Sequence, residues 1–200
     1  MRVTLPSLAA AIATATVLAA PAALAADPSA LVPAYRPPVQ PLSIVSEFRI
    51  GGSAQDPGSN EKNTSNINGE LLFAKPVTGL DSFWAKLIPR PTVGGSYNFD
   101  GRTSYAYLGA TWTFDVTDRI FVEGFFGAGF HDGWTGPKVY VPKTFNSLGC
   151  NPLFREAAAV GFRLTEHWSV MATIEHMSNA GLCVNNRGLT NFGGKIAYTF

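Results

Sequence analysis

Trp168-Ser169-Val170-Met171-Ala172-Thr173-Ile174-Glu175-His176-Met177-Ser178 alternates in character with a period of two. Side chains at i and i+2 of an extended strand share one face. Trp168, Val170, Ala172, Ile174, His176 and Ser178 therefore fall on one side, and Ser169, Met171, Thr173 and Glu175 on the other. The first side is oily until its last two residues, which are a base and a hydroxyl. A strand that is apolar outward and polar inward is the unit of a bilayer-spanning barrel.

Seven other segments read as strands, which gives eight in all: about 42 to 52, 66 to 76, 87 to 99, 103 to 115, 119 to 131, 153 to 164, 167 to 178 and 190 to 200. No helical period competes over a comparable length. In the fourth, Ala106, Leu108, Ala110, Trp112 and Phe114 face one way and Tyr105, Tyr107, Thr111 and Thr113 the other. The joins at Val116-Thr117 and Thr165-Glu166 are tight, whereas Gln55 to Ser65, His131 to Cys150 and Asn179 to Leu189 are long and rich in turn residues. Short turns at one end and long loops at the other are the outer-membrane pattern. Two joins depart from it, the short outer Asp100-Gly101 and the long inner stretch from Val77 to Lys86. The chain closes with Phe192, Gly194, Ile196, Tyr198 and Phe200 on one face, an ending that resembles the assembly signal of bacterial outer-membrane barrels.

The amino terminus agrees with export. Arg2, a small and apolar run from Leu8 to Ala20, and Ala23-Leu24-Ala25 predict a signal peptide over 1–25 with the mature chain starting at Ala26. The apolar run is short of the ~20 residues that a spanning helix needs. Residues 26–40, with Pro33, Pro37 and Pro38, read as an extended leader, and 41–200 as the barrel. The remainder suits one domain by the usual range of about 100–200 residues.

A formal charge of +1 with 14% charged residues offers no basic surface for nucleic acid. Aromatic residues at 12% and 20 glycines suit a girdled sheet with tight turns. The two cysteines, Cys150 and Cys183, lack CxxC spacing, so in an exported chain they favour one disulfide over a metal site. An eight-stranded barrel is filled by its own side chains. Arg90, Glu123, Arg155, Arg163, Glu175 and Lys195 are predicted to lie inside and to pair there, which disfavours a pore.

Serine becomes a nucleophile when a neighbouring base takes its proton, and histidine suits that work near neutral pH. His176 and Ser178 lie about 7 Å apart along one strand face, within leaning reach of each other. HxS gains specificity when continued as His176-x-Ser178-Asn179-Ala180-Gly181-Leu182 and then Asn186-x-Gly188 before the last strand of an exported barrel. His131 with Asp132, and His167, have no hydroxyl at useful spacing and read as loop and rim residues.

With these residues the chain resembles the lipid A 3-O-deacylase family of PagL type, over residues 174 to 200 in its specific motif. The resemblance implies an eight-stranded outer-membrane barrel that hydrolyses the ester-linked acyl chain at position 3 of lipid A. It implies His176 and Ser178 as catalytic residues, Asn179 and Gly181 as oxyanion-stabilising groups, and Asn186 as a supporting loop residue. Where the family has the acid that orients its histidine, this chain has Thr190. Threonine can accept a hydrogen bond from imidazole but cannot offset the charge of imidazolium.

Strand geometry suggests a replacement. A three-residue turn at 165–167 sets Leu164 opposite Trp168, which carries Glu156 opposite His176 and Cys150 opposite Leu182, beside Cys183. Glu156 stands on an oily face among Phe154, Ala158, Val160 and Phe162, where an acid is expensive without a task. It is therefore expected to stand in for the missing acid. The expectation for the whole chain is a serine esterase acting on lipid A or lipopolysaccharide from the outer leaflet, without metal or organic cofactor. The alternatives are a structural or lipid-binding barrel that has lost turnover, and an acyltransferase.

Overall fold

The computed structural model describes residues 44–77 and 82–200. The expected signal peptide and leader lie outside the described residues. Eight antiparallel strands, β1 Val45–Gln55, β2 Thr64–Phe73, β3 Arg90–Asn98, β4 Tyr105–Asp115, β5 Ile120–His131, β6 Leu153–Arg163, β7 Trp168–Ser178 and β8 Leu189–Thr199, follow one another round a closed barrel in which β8 pairs with β1. Closure leaves no strand edge unpaired, the condition for crossing a bilayer with sheet. No helix among the described residues is long and apolar enough to cross a membrane.

Side chains alternate as the sequence demands. Along β7 the odd-numbered residues are buried, while Trp168, Val170, Ala172 and Ile174 are exposed on the outer wall. Outward Leu108, Phe126, Val160, Phe192 and Ile196 continue that wall round the barrel. Inside, four cations face four carboxylates. Arg49 bonds Glu47 and Glu123, Arg90 bonds the same two acids, Arg155 pairs with Glu175 at 2.9 Å, and Lys195 bridges Glu70 and Glu175 at 2.7 Å each. Tyr105 and Tyr107 donate to Glu175 and Glu70, and the Arg155 guanidinium lies 3.7 Å from the centre of the Tyr107 ring. The set is neutral and mutually paired, so each charge has an opposite charge beside it in the filled interior. Arg163 pairs instead with Asp115 at the inner mouth.

Three details differ from the sequence expectation. β1 begins and ends three residues later than read, running on through Gly51-Gly52. A Cβ on Gly51 would strike the Gly194 carbonyl of β8, so the glycine permits close pairing. β2 is displaced the other way, toward the amino terminus, starting at Thr64. The long inner connection contains a short helix, α1 Ser82–Leu87, secured by Lys75 Nζ donating to the Ala85 carbonyl and Trp112 Nε1 to that of Leu87. The other inner turns are as tight as expected, with Val116 and Leu164 amides donating to the Ile120 and Trp168 carbonyls.

The long loops close the opposite end. Leu148, carried in by the β5–β6 loop, is 1% exposed and packs with Met177 and Leu189, the inward neighbours of His176 and Gly188. The outer end is thus a plugged platform beneath the last residues of β7.

Candidate active site

His176 is the outermost ring on β7, flanked by one residue on each neighbouring strand. Glu156 of β6 and Thr190 of β8 are its register partners. The register derived from the turn at 165–167 is the observed one. Imidazole Nδ1 lies 2.8 Å from Thr190 Oγ1. Glu156 is exposed and makes no hydrogen bond or ion pair with the ring. The expected direct replacement of the acid by Glu156 is therefore not what the structure shows. The β8 hydroxyl meets the imidazole one bond beyond Cβ, while the longer Glu156 side chain stays exposed on the outer face.

Ser178 follows on the same outward face, half-buried like His176 and opposite Phe154, whose ring stacks on Phe126. No hydrogen bond joins His176 and Ser178 in this structure. Beyond Ser178 the chain leaves the sheet through Ala180 (φ 52°) and Gly181 (φ 80°), with the Leu182 amide returning to the Asn179 carbonyl at 2.9 Å. Successive left-handed residues make a sharp turn that leaves the end of β7 uncovered.

Asn179 is buried, and its side chain builds this loop. Its Nδ2 donates to the carbonyls of Leu148 and Asn185, its Oδ1 accepts from the Gly181 amide, and its own amide donates to Asn186 Oδ1. Both amide hydrogens of Asn179 and the Gly181 N–H are thus committed within the loop, against the expectation that they face an oxyanion. Asn186 is exposed and uses only its Oδ1 in the loop, so its Nδ2 is the side-chain donor that remains uncommitted beside the site.

The disulfide Cys150–Cys183 is present, with Cα atoms 6.1 Å apart, and ties the β5–β6 loop to the β7–β8 loop. The remaining histidines serve structure. His131 Nε2 contacts the Cys150 carbonyl while its Nδ1 accepts from the Gly133 amide, and His167 contacts the Thr199 carbonyl at the inner rim. Among the described residues no three His, Cys, Asp or Glu side chains are grouped to hold a metal ion. A polar cavity of about 210 Å³ lies at the inner mouth between Glu47, Arg90, Glu123 and Arg163, far along the barrel from His176, and the His167 ring in its lining bonds the Thr199 carbonyl rather than a hydroxyl. The site itself is on the outer flank, open to whatever surrounds the barrel.

Two residues at the site escaped the sequence reading as contributors. Gly188 (φ 70°) lies against the ring, such that an added Cβ would be 2.9 Å from His176 Cε1 and 3.3 Å from Nε2. Asn146, fully buried, donates to the Gly188 carbonyl at 3.0 Å. The first could have been suspected from its place in Asn186-x-Gly188, whereas no local signal marks the second.

A family model described as lipid A 3-O-deacylase (PagL) matches residues 46–199. Among solved structures, the crystal structure of the outer membrane enzyme PagL is 17% identical, with 78% of this chain and 100% of that chain covered at a TM-score of 0.59. A de novo designed transmembrane β-barrel is 12% identical, covering 81% of this chain and 100% of its own, at 0.51. The N-terminal β-barrel domain of Pseudomonas aeruginosa OprF is 10% identical, covering 79% and 98%, also at 0.51. At such identities these structures establish the barrel fold. None of the curated proteins matches the chain significantly.

Proposed function

The chain belongs to the lipid A 3-O-deacylase family, and from that premise we propose that it is a serine esterase removing the 3-position acyl chain of lipid A from the outer leaflet. The observation that carries this reading is the outward His176–Ser178 pair at the end of an apolar wall, with the far nitrogen of the imidazole held by Thr190. A lipid ester whose acyl chain lies along Ile174 and Phe192 would bring its carbonyl to the level of Ser178.

Chemistry follows from the ring's tautomer. When Nδ1–H donates to Thr190 Oγ1, Nε2 carries the free lone pair and serves as the base. Ser178 Oγ attacks the ester carbonyl as Nε2 takes its proton, and the Asn186 Nδ2 donor supports the tetrahedral oxyanion. Collapse breaks the bond to the sugar oxygen, which leaves with the proton from His176. Water, deprotonated by the same nitrogen, then releases the fatty acid and restores Ser178. Glu156, cross-strand from the ring, places a negative charge beside the transient imidazolium without a hydrogen bond to it.

Mass spectrometry of lipid A from cells with and without the protein tests the reading. Loss of one ester-linked chain at position 3, appearing as free fatty acid, is expected with the parent. Ser178→Ala should leave lipid A intact while still giving a folded, heat-modifiable barrel. The absence of an acid at Thr190 favours one second reading, a lipid-binding barrel without turnover, which predicts identical lipid A in both cells. A chain transferred to another acceptor would identify an acyltransferase.

A further inference from the structure

Three loops meet under the site at one side chain. Asn146 is fully buried, and its backbone amide donates to Glu61 Oε1 at 2.9 Å. Its Nδ2 donates one hydrogen to Asp56 Oδ2 and the other to the Gly188 carbonyl. Asp56 and Glu61 belong to the β1–β2 loop, Asn146 to the β5–β6 loop and Gly188 to the β7–β8 loop. Adjacent bonds extend the same seam, from the Arg187 amide to the Ser147 carbonyl at 3.0 Å and from Asn179 Nδ2 to the Leu148 carbonyl at 2.9 Å. Leu148 anchors it in the core beside Met177 and Leu189.

Gly188 connects this seam to the imidazole. Its backbone backs the Cε1–Nε2 edge of His176 so closely that a methyl group there would crowd the ring. A ring bonded through Nδ1 to Thr190 can still pivot about that bond. A fixed backbone against its opposite edge stops the pivot.

We propose that Asn146 is a positioning residue for this esterase: by holding the Gly188 carbonyl it keeps the Gly188 backbone against His176 and so fixes the direction of Nε2 toward Ser178. The inference rests on the serine-esterase reading for its effect on turnover, but its structural content concerns only the ring. The seam also explains why a donor is needed at this position. Asp56 and Gly188 present a carboxylate and a carbonyl, two acceptors that the two hydrogens of the Asn146 NH2 join. Aspartate at 146 would keep the size and offer no hydrogen to either.

An exchange of groups separates positioning from loop packing. Asn146→Asp sets two carboxylates face to face, and Asp56→Asn in the same chain restores a donor–acceptor pair between 56 and 146. Only the bond to Gly188 is then still missing. With the full-length protein in detergent micelles, the double variant should regain the parent's heat-modified migration and thermal midpoint. Its kcat on lipopolysaccharide should stay about 100-fold below the parent's with KM unchanged, the scale of loss expected from a misplaced catalytic group. NMR of the His176 Hε1 proton should show a shifted or broadened line in Asn146→Ala and in the double variant. Recovery of kcat together with stability in the double variant would overturn the proposal, and so would a His176 line identical to the parent's. A parent that never deacylates, but whose His176 line still moves in the variants, would defeat the esterase reading and leave the positioning role standing.

Discussion

At the scale of single residues, the site differs from a charged triad by one substitution, and two flanking strands divide the work. Thr190 bonds the imidazole and Glu156 stands across the strand from it; in the proposed mechanism the first supplies a hydrogen bond and the second a charge. Thr190→Val keeps the shape and removes the acceptor. A net hydrogen bond of about 1 kcal/mol corresponds to about a fivefold loss in kcat, measured on purified lipopolysaccharide. Thr190→Glu, which brings the acid to the hydrogen-bonding flank, should raise turnover above the parent. Glu156→Gln should cost about tenfold, far less than the ~10⁴-fold seen when a bonded triad acid loses its charge, because water around an exposed carboxylate screens it. Parent-like kcat in both Thr190→Val and Glu156→Gln would mean that neither flank assists the imidazole.

The loops are the elements on which the geometry depends, and the disulfide joins two of them. Cys150 and Cys183 lie 33 residues apart in sequence, and closing a loop of that size contributes about 3 to 4 kcal/mol in the chain-entropy model. The link joins loop to loop while the strands carry the ladder, so Cys150→Ser should still assemble into a heat-modifiable barrel. Its thermal midpoint should fall and its turnover should drop modestly, since Asn179 and Asn186 would be held by hydrogen bonds alone. Alkylation of protein taken from outer membranes should find no free thiol, and two free thiols would remove the claim. The inner end follows the opposite economy: three-residue turns and one short helix, with no part in the site.

Across the whole molecule, the interior decides stability. Glu175 accepts from Tyr105 and Lys195 and pairs with the Arg155 guanidinium, all buried. Glu175→Gln would leave the cations in excess where water cannot reach, and breaking such a buried pair costs about 3–5 kcal/mol. Urea unfolding followed by tryptophan fluorescence in lipid vesicles should show a clearly lower midpoint for this variant. Glu166→Gln, on the exposed inner turn, should leave the midpoint unchanged. Equal midpoints for the two would mean that the interior charges are solvated. The filled interior also predicts no sustained conductance in planar bilayers.

The chain by itself determined the barrel, its strand order, the inward and outward faces and the pairing of β6 with β7. Each follows from a period of two and from short turns, which are local properties written in consecutive residues. Trp168 to Ser178 carried the face assignment, and the turn at 165–167 carried the register that set Glu156 opposite His176. The bounds of β1 were set only by the fold: the strand runs on through Gly51-Gly52 to Gln55, with β8 close against the glycine. Only the tertiary structure decided that Thr190 rather than Glu156 bonds the imidazole, that Asn179 is committed to its own loop, and that Asn146 and Gly188 stand behind the ring. Those outcomes depend on which of several groups within reach arrives first, and on loops from three parts of the chain converging over one end of the barrel. Strand periodicity fixes direction along a face, but it holds no information about where a long loop returns.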